Sequence, residues 1–314
     1  MISRWWWGPK TGGELWPKDR SVCSFDGTNI RYTMLGPQGA PVVVFCAGFL
    51  CPDTYWRYLV PALEGDYRLL VWNYRGIGVS ELPRWPGFHA LAISDDELGI
   101  EANVKDLDVI LGVESIDSCV LVGHSMGVQV ALESYRRFPE RIAGLVSIAG
   151  PYMTPLRTFY GTDLSGRLAP VALPLLHALP RVTLLAWRAL VHNPLAFPAG
   201  RAVRAIGPRA KPADMVGYFD HVSMIDPLIA AKMIRGMHAH SAEGLLEKID
   251  VPVLICHGTA DPFTPLGVAK EMEDRIPDAR LVVFEDGSHT LPIEHPVEIA
   301  AEVRPFVEAA LSRS

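Results

Sequence analysis

Three residues whose side chains can act together as a nucleophile occur in order along the chain. Ser125 lies in the pattern G-H-S-M-G at residues 123–127, which follows the apolar run 120–122. Asp261 and His289 each follow a later apolar run. A serine hydroxyl needs a base to take its proton and a third group to orient that base, and serine, aspartate, histidine is one of the chain orders in which such triads occur. We therefore expect Ser125 to be the nucleophile, His289 the general base and Asp261 the acid that orients it.

The glycines of the serine pattern indicate a strained turn between a strand and a helix. A Cβ at positions 123 and 127 would collide with neighbouring backbone, so only glycine fits there. Such a turn lifts the serine hydroxyl out of the sheet edge toward a cleft. The backbone N–H of the next residue, Met126, is then expected to be one of the donors that bind the oxyanion.

Other acidic and histidine side chains compete for the same roles. Glu285 and Asp286 are alternative acids, but they stand so close to His289 that we expect them to shape its turn. His295 precedes a proline at a predicted helix start and is expected on the surface. His257, beside the Asp261 turn, is expected to pack rather than to catalyse.

Alternating strand and helix patterns predict how these residues are positioned. Continuous apolar runs are typical of strands buried on both faces of a parallel sheet, and the intervening segments have helical spacing. Strands are predicted at Asn29–Leu35, Pro41–Cys46, Tyr67–Trp72, Cys119–Val122, Ile142–Ala149, Pro252–Cys256 and Arg280–Phe284. Helices are predicted at Asp53–Leu63, Asp95–Val113, Met126–Phe138, Met215–Ala242, Gly267–Ile276 and Pro296–Leu311.

This alternation predicts an α/β fold with a mostly parallel, helix-covered sheet. The proline-rich segment after Gly150 has no convincing strand, which indicates a helical cap inserted after the sixth strand, above the carboxyl edge where ligands bind in such sheets. The expected organisation is an N-terminal extension (1–20), a core domain (21–150 and 246–314) and a helical cap (151–245).

Four motifs in this order resemble the α/β-hydrolase superfamily, in its capped group of esterases, lipases, haloperoxidase-like perhydrolases and C–C bond hydrolases. Besides G-H-S-M-G, they are N-Y-R-G-I-G-V-S at 73–80, H-G-T-A-D-P-F-T-P at 257–265 and G-S-H-T-L-P-I-E-H-P at 287–296. The resemblance covers about residues 21–150 and 246–312 and implies the α/β-hydrolase fold with a serine nucleophile. Arg75, in the second motif, is expected to tie loops together, with substrate binding as the alternative.

The loop after the predicted strand Pro41–Cys46 departs from this resemblance at one position. The family usually has His-Gly there, whereas this chain reads Ala47-Gly48-Phe49-Leu50. The resemblance implies that the backbone N–H of Phe49 is the second oxyanion donor, with Leu50 as the alternative. Because the donor is backbone, the loss of the histidine leaves the hole in place and bears on how firmly the loop is held.

Substrate contacts are expected beside the nucleophile and in the cap. Leu50 and His124 flank the expected oxyanion hole, and His124 has packing as its alternative role. Met224 belongs to a methionine-rich segment of the cap, with Met233 and Met237, whose flexible side chains could line an acyl site.

Composition excludes several function classes. The net charge of −6 and the absence of a long Lys/Arg cluster argue against a nucleic-acid partner. The histidines and cysteines lack metal-ligand spacing, and Gly76-Ile77-Gly78 lacks the third glycine of a dinucleotide loop, so no metal or cofactor is expected. Five cysteines form an odd set that favours free thiols and a cytoplasmic location, although a local Cys46–Cys51 bridge is the alternative.

Two apolar segments bear on membrane contact. The most apolar region, 168–191, is interrupted by prolines and arginines and does not predict a membrane span. Trp5-Trp6-Trp7 is expected to pack on the protein's own surface or on a partner subunit, with peripheral membrane contact as the alternative. The oligomeric state is not predicted.

Together, these features predict a serine hydrolase that cleaves carboxylic esters of a hydrophobic small molecule through an acyl-enzyme. C–C bond hydrolysis, perhydrolysis or acyl transfer by the same triad, and a non-catalytic ligand-binding role, remain the alternatives. Because a histidine base must start neutral, ester cleavage should rise with pH between about 6 and 7.

Overall fold

The computed structural model describes residues 14–83, 93–154, 180–191 and 193–313. The predicted roles of Trp5-Trp6-Trp7 fall outside the described residues, as do most of the proline-rich segment that follows Thr154 and all but the end of the apolar region 168–191.

Eight strands form one sheet in the order β1-β2-β4-β3-β5-β6-β7-β8. Six neighbouring strands of this order, β4, β3, β5, β6, β7 and β8, are parallel to one another. At one edge, β2 pairs antiparallel with both β4 and β1. The strands are β1 (Arg20–Cys23), β2 (Asn29–Leu35), β3 (Val42–Cys46), β4 (Arg68–Trp72), β5 (Cys119–His124), β6 (Ile142–Ile148), β7 (Val253–Gly258) and β8 (Ala279–Phe284).

Ten α-helices accompany the sheet in the described part of the chain. They are α1 (Leu59–Leu63), α2 (Ile100–Val113), α3 (Met126–Arg137), α4 (Pro180–Val191), α5 (Ala196–Ala202), α6 (Pro212–Met224), α7 (Pro227–Ala239), α8 (Leu266–Arg275), α9 (Leu291–Glu294) and α10 (Pro296–Leu311). Short 3-10 helices lie at Asp53–Trp56, Asp96–Leu98, Pro139–Arg141 and Leu246–Lys248.

Helices cover both faces of the sheet, as the continuous apolar strands predict. In β3, Val42, Val44 and Cys46 belong to one buried cluster with side chains of α2, α3 and α8, whereas Val43 and Phe45 belong to another with side chains of α1 and α10. This alternation follows from the two-residue period of a strand. The predicted parallel, helix-covered sheet is confirmed, and α4–α7 form a helical insertion after the sixth strand.

Strand β1 was not predicted from the sequence. It forms a hairpin with β2 around Gly27, whose φ of 87° suits glycine, and the Asp26 carboxylate accepts a hydrogen bond from the Thr28 N–H. Only Val22 of its four residues is buried, so the segment carries too few apolar positions for an alternating pattern.

Two predicted helices are each divided in the structure. The segment 53–63 forms the 3-10 helix Asp53–Trp56 followed by α1, and the segment 215–242 forms α6 and α7. Pro227 causes the second break, because a proline fits only the first turn of a helix. Asp226 caps α7 by accepting a hydrogen bond from the Leu228 N–H at 2.8 Å.

The cysteines are free thiols, and no Cys46–Cys51 bridge forms. Four of them are buried and Cys23 is exposed. Within the described ranges, no helix has both the length and the apolar character that crossing a membrane requires.

Candidate active site

Ser125 occupies the turn between β5 and α3 with φ 52° and ψ −120°. This conformation is strained for a non-glycine residue and holds the side chain at the carboxyl edge of the sheet. A Cβ on Gly127 would overlap the Cys46 carbonyl oxygen, and one on Gly123 would come within 2.6 Å of the Gly127 carbonyl oxygen. The two glycines are therefore required by close backbone packing.

The three predicted catalytic side chains form one continuous hydrogen-bonded chain. The Ser125 hydroxyl lies 2.8 Å from His289 Nε2, and His289 Nδ1 lies 2.9 Å from Asp261 Oδ2. In a neutral imidazole with Nδ1–H, the Nδ1–H donates a hydrogen bond to Asp261, and Nε2 is free to accept one from the Ser125 hydroxyl. This is the geometry in which a serine hydroxyl can be deprotonated as it attacks.

Asp261 is a buried carboxylate surrounded by donors. Its Oδ1 accepts hydrogen bonds from the backbone N–H groups of Phe263 (2.8 Å) and Thr264 (3.1 Å), and its Oδ2 accepts one from the Thr264 hydroxyl at 2.8 Å. Burial alone would raise the pKa of Asp261, but the adjacent His289 and these donors hold it below the usual value. The acid therefore stays ionised and keeps its orientation.

The loop that carries His289 is fixed by a second buried carboxylate. Glu294 Oε2 accepts hydrogen bonds from the Ser288 N–H, the Ser288 hydroxyl and the Thr290 hydroxyl at 2.5–3.1 Å. The Phe263 ring and the imidazole pack nearly perpendicular to each other, with ring centroids 4.8 Å apart. These contacts restrict the motion of the His289 imidazole.

Glu285, Asp286 and His295, the alternative acids and base, take no part in the hydrogen bonds that link Ser125, His289 and Asp261. Glu285 and Asp286 are exposed in the turn after β8, where Asp286 has φ 59°. His295 is buried rather than on the surface, which corrects the sequence-based expectation. It packs against the Phe284 ring and lies 3.4 Å from the Arg209 guanidinium, so a side chain of the helical insertion covers it.

His124 and His257 are buried beside the site. The His124 ring lies against Tyr55, and its Nε2–H donates to the His289 carbonyl oxygen at 2.9 Å. Burial, with the neighbouring His289, lowers the pKa of His124 to about 3, so the ring is neutral. His124 therefore contacts the backbone of His289 and, against the sequence-based expectation of a substrate contact, does not line the cavity described below.

The loop after β3 forms a tight turn beside the cavity onto which Ser125 opens. The Cys51 N–H donates to the Gly48 carbonyl oxygen at 3.1 Å, and Leu50 has φ 54°, in the left-handed region. The Ala47 carbonyl oxygen accepts a hydrogen bond from the Tyr74 hydroxyl at 2.9 Å. Phe49 lines the cavity, whereas Leu50 is buried beneath the turn.

A cavity of about 310 Å³ opens onto Ser125 and His289. Its wall combines loop residues of the core with side chains of the helical insertion. The lining residues are Phe49, Cys51, Tyr55, Ser125, Pro151, Ala196, Gly200, Ala205, Ile206, Met215, Tyr218, Phe219, Ile234, Met237, Phe263, Thr264 and His289. None of them is acidic, lysine or arginine, so an uncharged ligand fits this wall best.

Met224 does not line this cavity. It stands at the end of α6 with 53 % of its surface exposed, and the cavity is instead lined by Met215 and Met237. The predicted contact at Met224 is thus corrected to two methionines that face inward from α6 and α7. Sequence reasoning also missed Tyr55, Tyr218 and Phe263, of which only Phe263 had a signal, its place two residues after Asp261.

Arg75 ties loops together, as expected. Its fully buried guanidinium donates two hydrogen bonds to Asp106, at 2.6 and 2.8 Å, and one to Asp26 at 2.9 Å. It takes no part in the cavity wall. Among the residues that the structure describes, no group of three or more His, Cys, Asp or Glu could hold a metal ion.

Comparisons with known proteins place the chain in a family. A family model described as "alpha/beta hydrolase fold" matches residues 41–296. Together with the sheet order and the turn at Ser125, this defines the class of protein: the chain belongs to the alpha/beta hydrolase fold family.

Individual relatives are distant. The chain is 26 % identical to a probable oxidoreductase of Mycobacterium bovis, over 93 % of this chain and 50 % of that protein, so it spans half the length of this relative. It is 28 % identical to a non-heme chloroperoxidase of Streptomyces lividans, over 92 % of this chain and 99 % of that one. Among solved structures, an esterase from Exiguobacterium antarcticum has a TM-score of 0.71 at 18 % identity, covering 92 % of this chain and 98 % of that one.

Proposed function

We propose that the protein is a serine hydrolase that cleaves carboxylic esters of an uncharged, apolar small molecule through an acyl-enzyme intermediate. One observation supports this above all: the hydrogen-bonded chain from Ser125 through His289 to Asp261 ends at an apolar cavity. A base aligned on a serine hydroxyl that opens onto a cavity is the arrangement that nucleophilic acyl transfer requires.

In the first half-reaction, the Ser125 oxygen attacks the ester carbonyl carbon while His289 Nε2 takes the hydroxyl proton. Asp261, kept ionised by its donors, stabilises the imidazolium that forms. The tetrahedral intermediate collapses as His289 gives the proton to the leaving alcohol, and the acyl group stays on Ser125. Water then attacks the acyl-enzyme by the reverse proton transfers and releases the acid.

The oxyanion would be held by the backbone N–H groups of Met126 and Phe49. Met126 is the first residue of α3, so its N–H has no partner within the helix. In the described part of the chain, neither N–H donates to a backbone or side-chain acceptor. Two free donors beside the nucleophile suit the negative oxygen of the tetrahedral intermediate, where one such donor contributes about 10²- to 10³-fold in kcat.

The cavity wall suggests the substrate class. Its volume of about 310 Å³ is at the small end of ligand pockets, which favours a short or compact acyl group. Tyr218, Phe219 and Met215 face it from α6, and Met237 from α7. In this proposal residues 151–245 act as a cap that closes the acyl site, and residues 21–150 and 246–314 form the core that carries the triad.

Hydrolysis of p-nitrophenyl esters of increasing acyl length tests the proposal. Wild type should hydrolyse the short and medium chains, and Ser125→Ala should lose roughly 10⁶-fold in kcat. Ser134→Ala, which removes a buried serine of α3 that does not line the cavity, is the matched control and should keep more than a tenth of the activity. Failure of wild type to hydrolyse any ester would contradict the ester-cleaving role and leave C–C bond hydrolysis, perhydrolysis or acyl transfer as the reactions to assay.

The fold alone does not choose among these reactions. Proteins similar to this chain carry names as different as chloroperoxidase, carbamate hydrolase and esterase, and one fold hosts many chemistries. The proposal therefore depends on the triad and the cavity of this chain. The four buried free thiols further favour a reducing, cytoplasmic location.

A further inference from the structure

The loop that offers the Phe49 N–H is strained and receives support from outside itself. Leu50 has a positive φ, and such a conformation persists only where surrounding contacts impose it. The loop runs directly into the 3-10 helix Asp53–Trp56, whose first residue, Asp53, is a buried carboxylate. The contacts that fix Asp53 therefore also fix the end of the loop 47–52, called the oxyanion loop below.

Asp53 is held by the segment Glu14–Lys18, which precedes β1. Its Oδ1 accepts a hydrogen bond from the Leu15 N–H at 2.6 Å, and its Oδ2 accepts from the Trp16 N–H at 3.1 Å and from Lys18 Nζ at 2.7 Å. One side chain thus receives three donors from four consecutive residues of a segment that is distant in sequence.

Lys18 makes this contact specific. Its ammonium group is fully buried and donates to Asp53, to Glu14 Oε2 at 2.7 Å and to the Trp16 carbonyl oxygen at 2.8 Å. All three N–H bonds of the ammonium are therefore used. Burial of a lysine ammonium group costs free energy unless the group is fully paired. The segment is therefore fixed in the one position where Lys18 has all its partners.

The same segment reaches a second loop at the carboxyl edge of the sheet. Glu14 Oε1 accepts a hydrogen bond from Asn73 Nδ2 at 2.8 Å, where Asn73 directly follows β4. A Cβ on Gly78 would come within 2.7 Å of both side chains, so the contact is tight. Glu14–Lys18 therefore bridges the loop after β3 and the loop after β4.

We propose that Asp53 is a positioning residue of the ester-cleaving site and that the segment Glu14–Lys18 holds the oxyanion loop in its active conformation through it. The proposal rests on the proposed function. Asp53 does not line the cavity, but Phe49, Cys51 and Tyr55 on either side of it do. Release of Asp53 would let the Phe49 N–H move away from the oxyanion while the triad stays intact.

The test compares Asp53→Asn with wild type on a p-nitrophenyl ester. The asparagine NH₂ cannot accept the hydrogen bonds that one Asp53 oxygen receives from the segment. We therefore expect kcat to fall about 10- to 100-fold, with KM changed less than threefold. A trifluoromethyl ketone, whose adduct with Ser125 carries the oxyanion, should bind more weakly by the same factor as kcat/KM falls. A purely structural role would not reproduce that proportion.

Glu114→Gln is the matched control. Glu114 accepts from Arg20, Arg68 and the Tyr32 hydroxyl at the opposite, amino edge of the sheet, so its loss should lower Tm without changing kcat. If Asp53→Asn does not fold, Glu14→Gln is tested in its place. It removes the charge of one carboxylate partner of Lys18, and we expect a three- to tenfold loss of kcat. If wild type turns over the ester and the folded variants have kcat values within twofold of the control, the proposal is overturned. If wild type shows no turnover, the result counts against the proposed function itself.

Discussion

At the scale of single residues, hydrogen bonds fix the position of Asp261, the proposed acid of the triad. Asp261 has four donors on its two oxygens, one of which is His289. Asp261→Asn should lower kcat by about 10⁴-fold, because the amide can donate to Nδ1 and so favour the wrong tautomer of His289. The rate of ester hydrolysis measures this, with Asp286→Asn in the exposed turn as the matched control. A loss of similar size in both variants would argue against Asp261 as the orienting acid.

The pH dependence of stability also belongs to single residues. Burial, followed by the charge of Glu14, raises the pKa of Asp53 from 3.8 to about 6, and Lys18 acts in the opposite direction. Between pH 3.8 and about 6, Asp53 binds a proton in the folded state that it has lost in the unfolded state. The free energy of unfolding therefore decreases as pH rises through this range. Relative to Asp53→Asn, wild type should lose stability between pH 4 and 7, by on the order of 3 kcal/mol at most.

Chemical denaturation at several pH values tests this, and Glu114→Gln provides a control of opposite sign. Burial would raise the pKa of Glu114, but its hydrogen bonds to Arg20 and Tyr32 lower it below the usual value. Wild type should therefore gain stability relative to Glu114→Gln as pH rises from acid values. Equal pH dependence of the two variants would contradict the assigned environments.

At the scale of elements, the turn between β5 and α3 depends on the absence of a side chain at Gly127. Gly127→Ala would press a methyl group onto the Cys46 carbonyl oxygen, and overpacking of this kind costs about 1–3 kcal/mol. Gly112→Ala, at an open position in the exposed last turn of α2, should instead stabilise by about 0.5 kcal/mol. Thermal unfolding separates the two, and a neutral Gly127→Ala would show that the two backbones can move apart.

Helices and strands could be predicted from the sequence where a local residue pattern indicates them. The buried strands and the triad motifs were predicted from apolar runs and from residue order, because each of Ser125, Asp261 and His289 lies in the loop that follows a strand. β1 was missed because only Val22 is buried, and the break at Pro227 was missed because the apolar pattern continues on both sides of it. The burial of His295 depends on Arg209 of the helical insertion, a distant contact that no local pattern contains.

At the scale of the whole molecule, the cavity wall joins the core to the helical insertion, so its side chains should set the acyl length. Met237 lines the cavity, while Met233 lies one turn earlier on α7, is also buried and does not line it. Met237→Ala should raise kcat/KM for longer acyl chains relative to butyrate by about tenfold. Met233→Ala should lose comparable stability, about 2–5 kcal/mol, with an unchanged chain-length profile; a shift of equal size in both would contradict the cavity assignment.

The contact between Glu14–Lys18 and Asp53 also belongs to the whole molecule, because it joins the start of the described chain to a loop that the serine motif does not reveal. Sequence reasoning identified Ala47 as a departure and left open how the loop is held. Three hydrogen bonds to Asp53 supply an answer that depends on residues 35 or more positions away.

The central claim is that Ser125 becomes acylated by an ester, and trapping that intermediate tests it most directly. Wild type would be mixed rapidly with p-nitrophenyl butyrate, quenched in acid and digested, and the peptides analysed by mass spectrometry. We expect a burst of about one equivalent of p-nitrophenol per enzyme and a butyryl group on the peptide that contains Ser125. A butyryl group on another residue, or an undiminished burst from Ser125→Ala, would contradict the account.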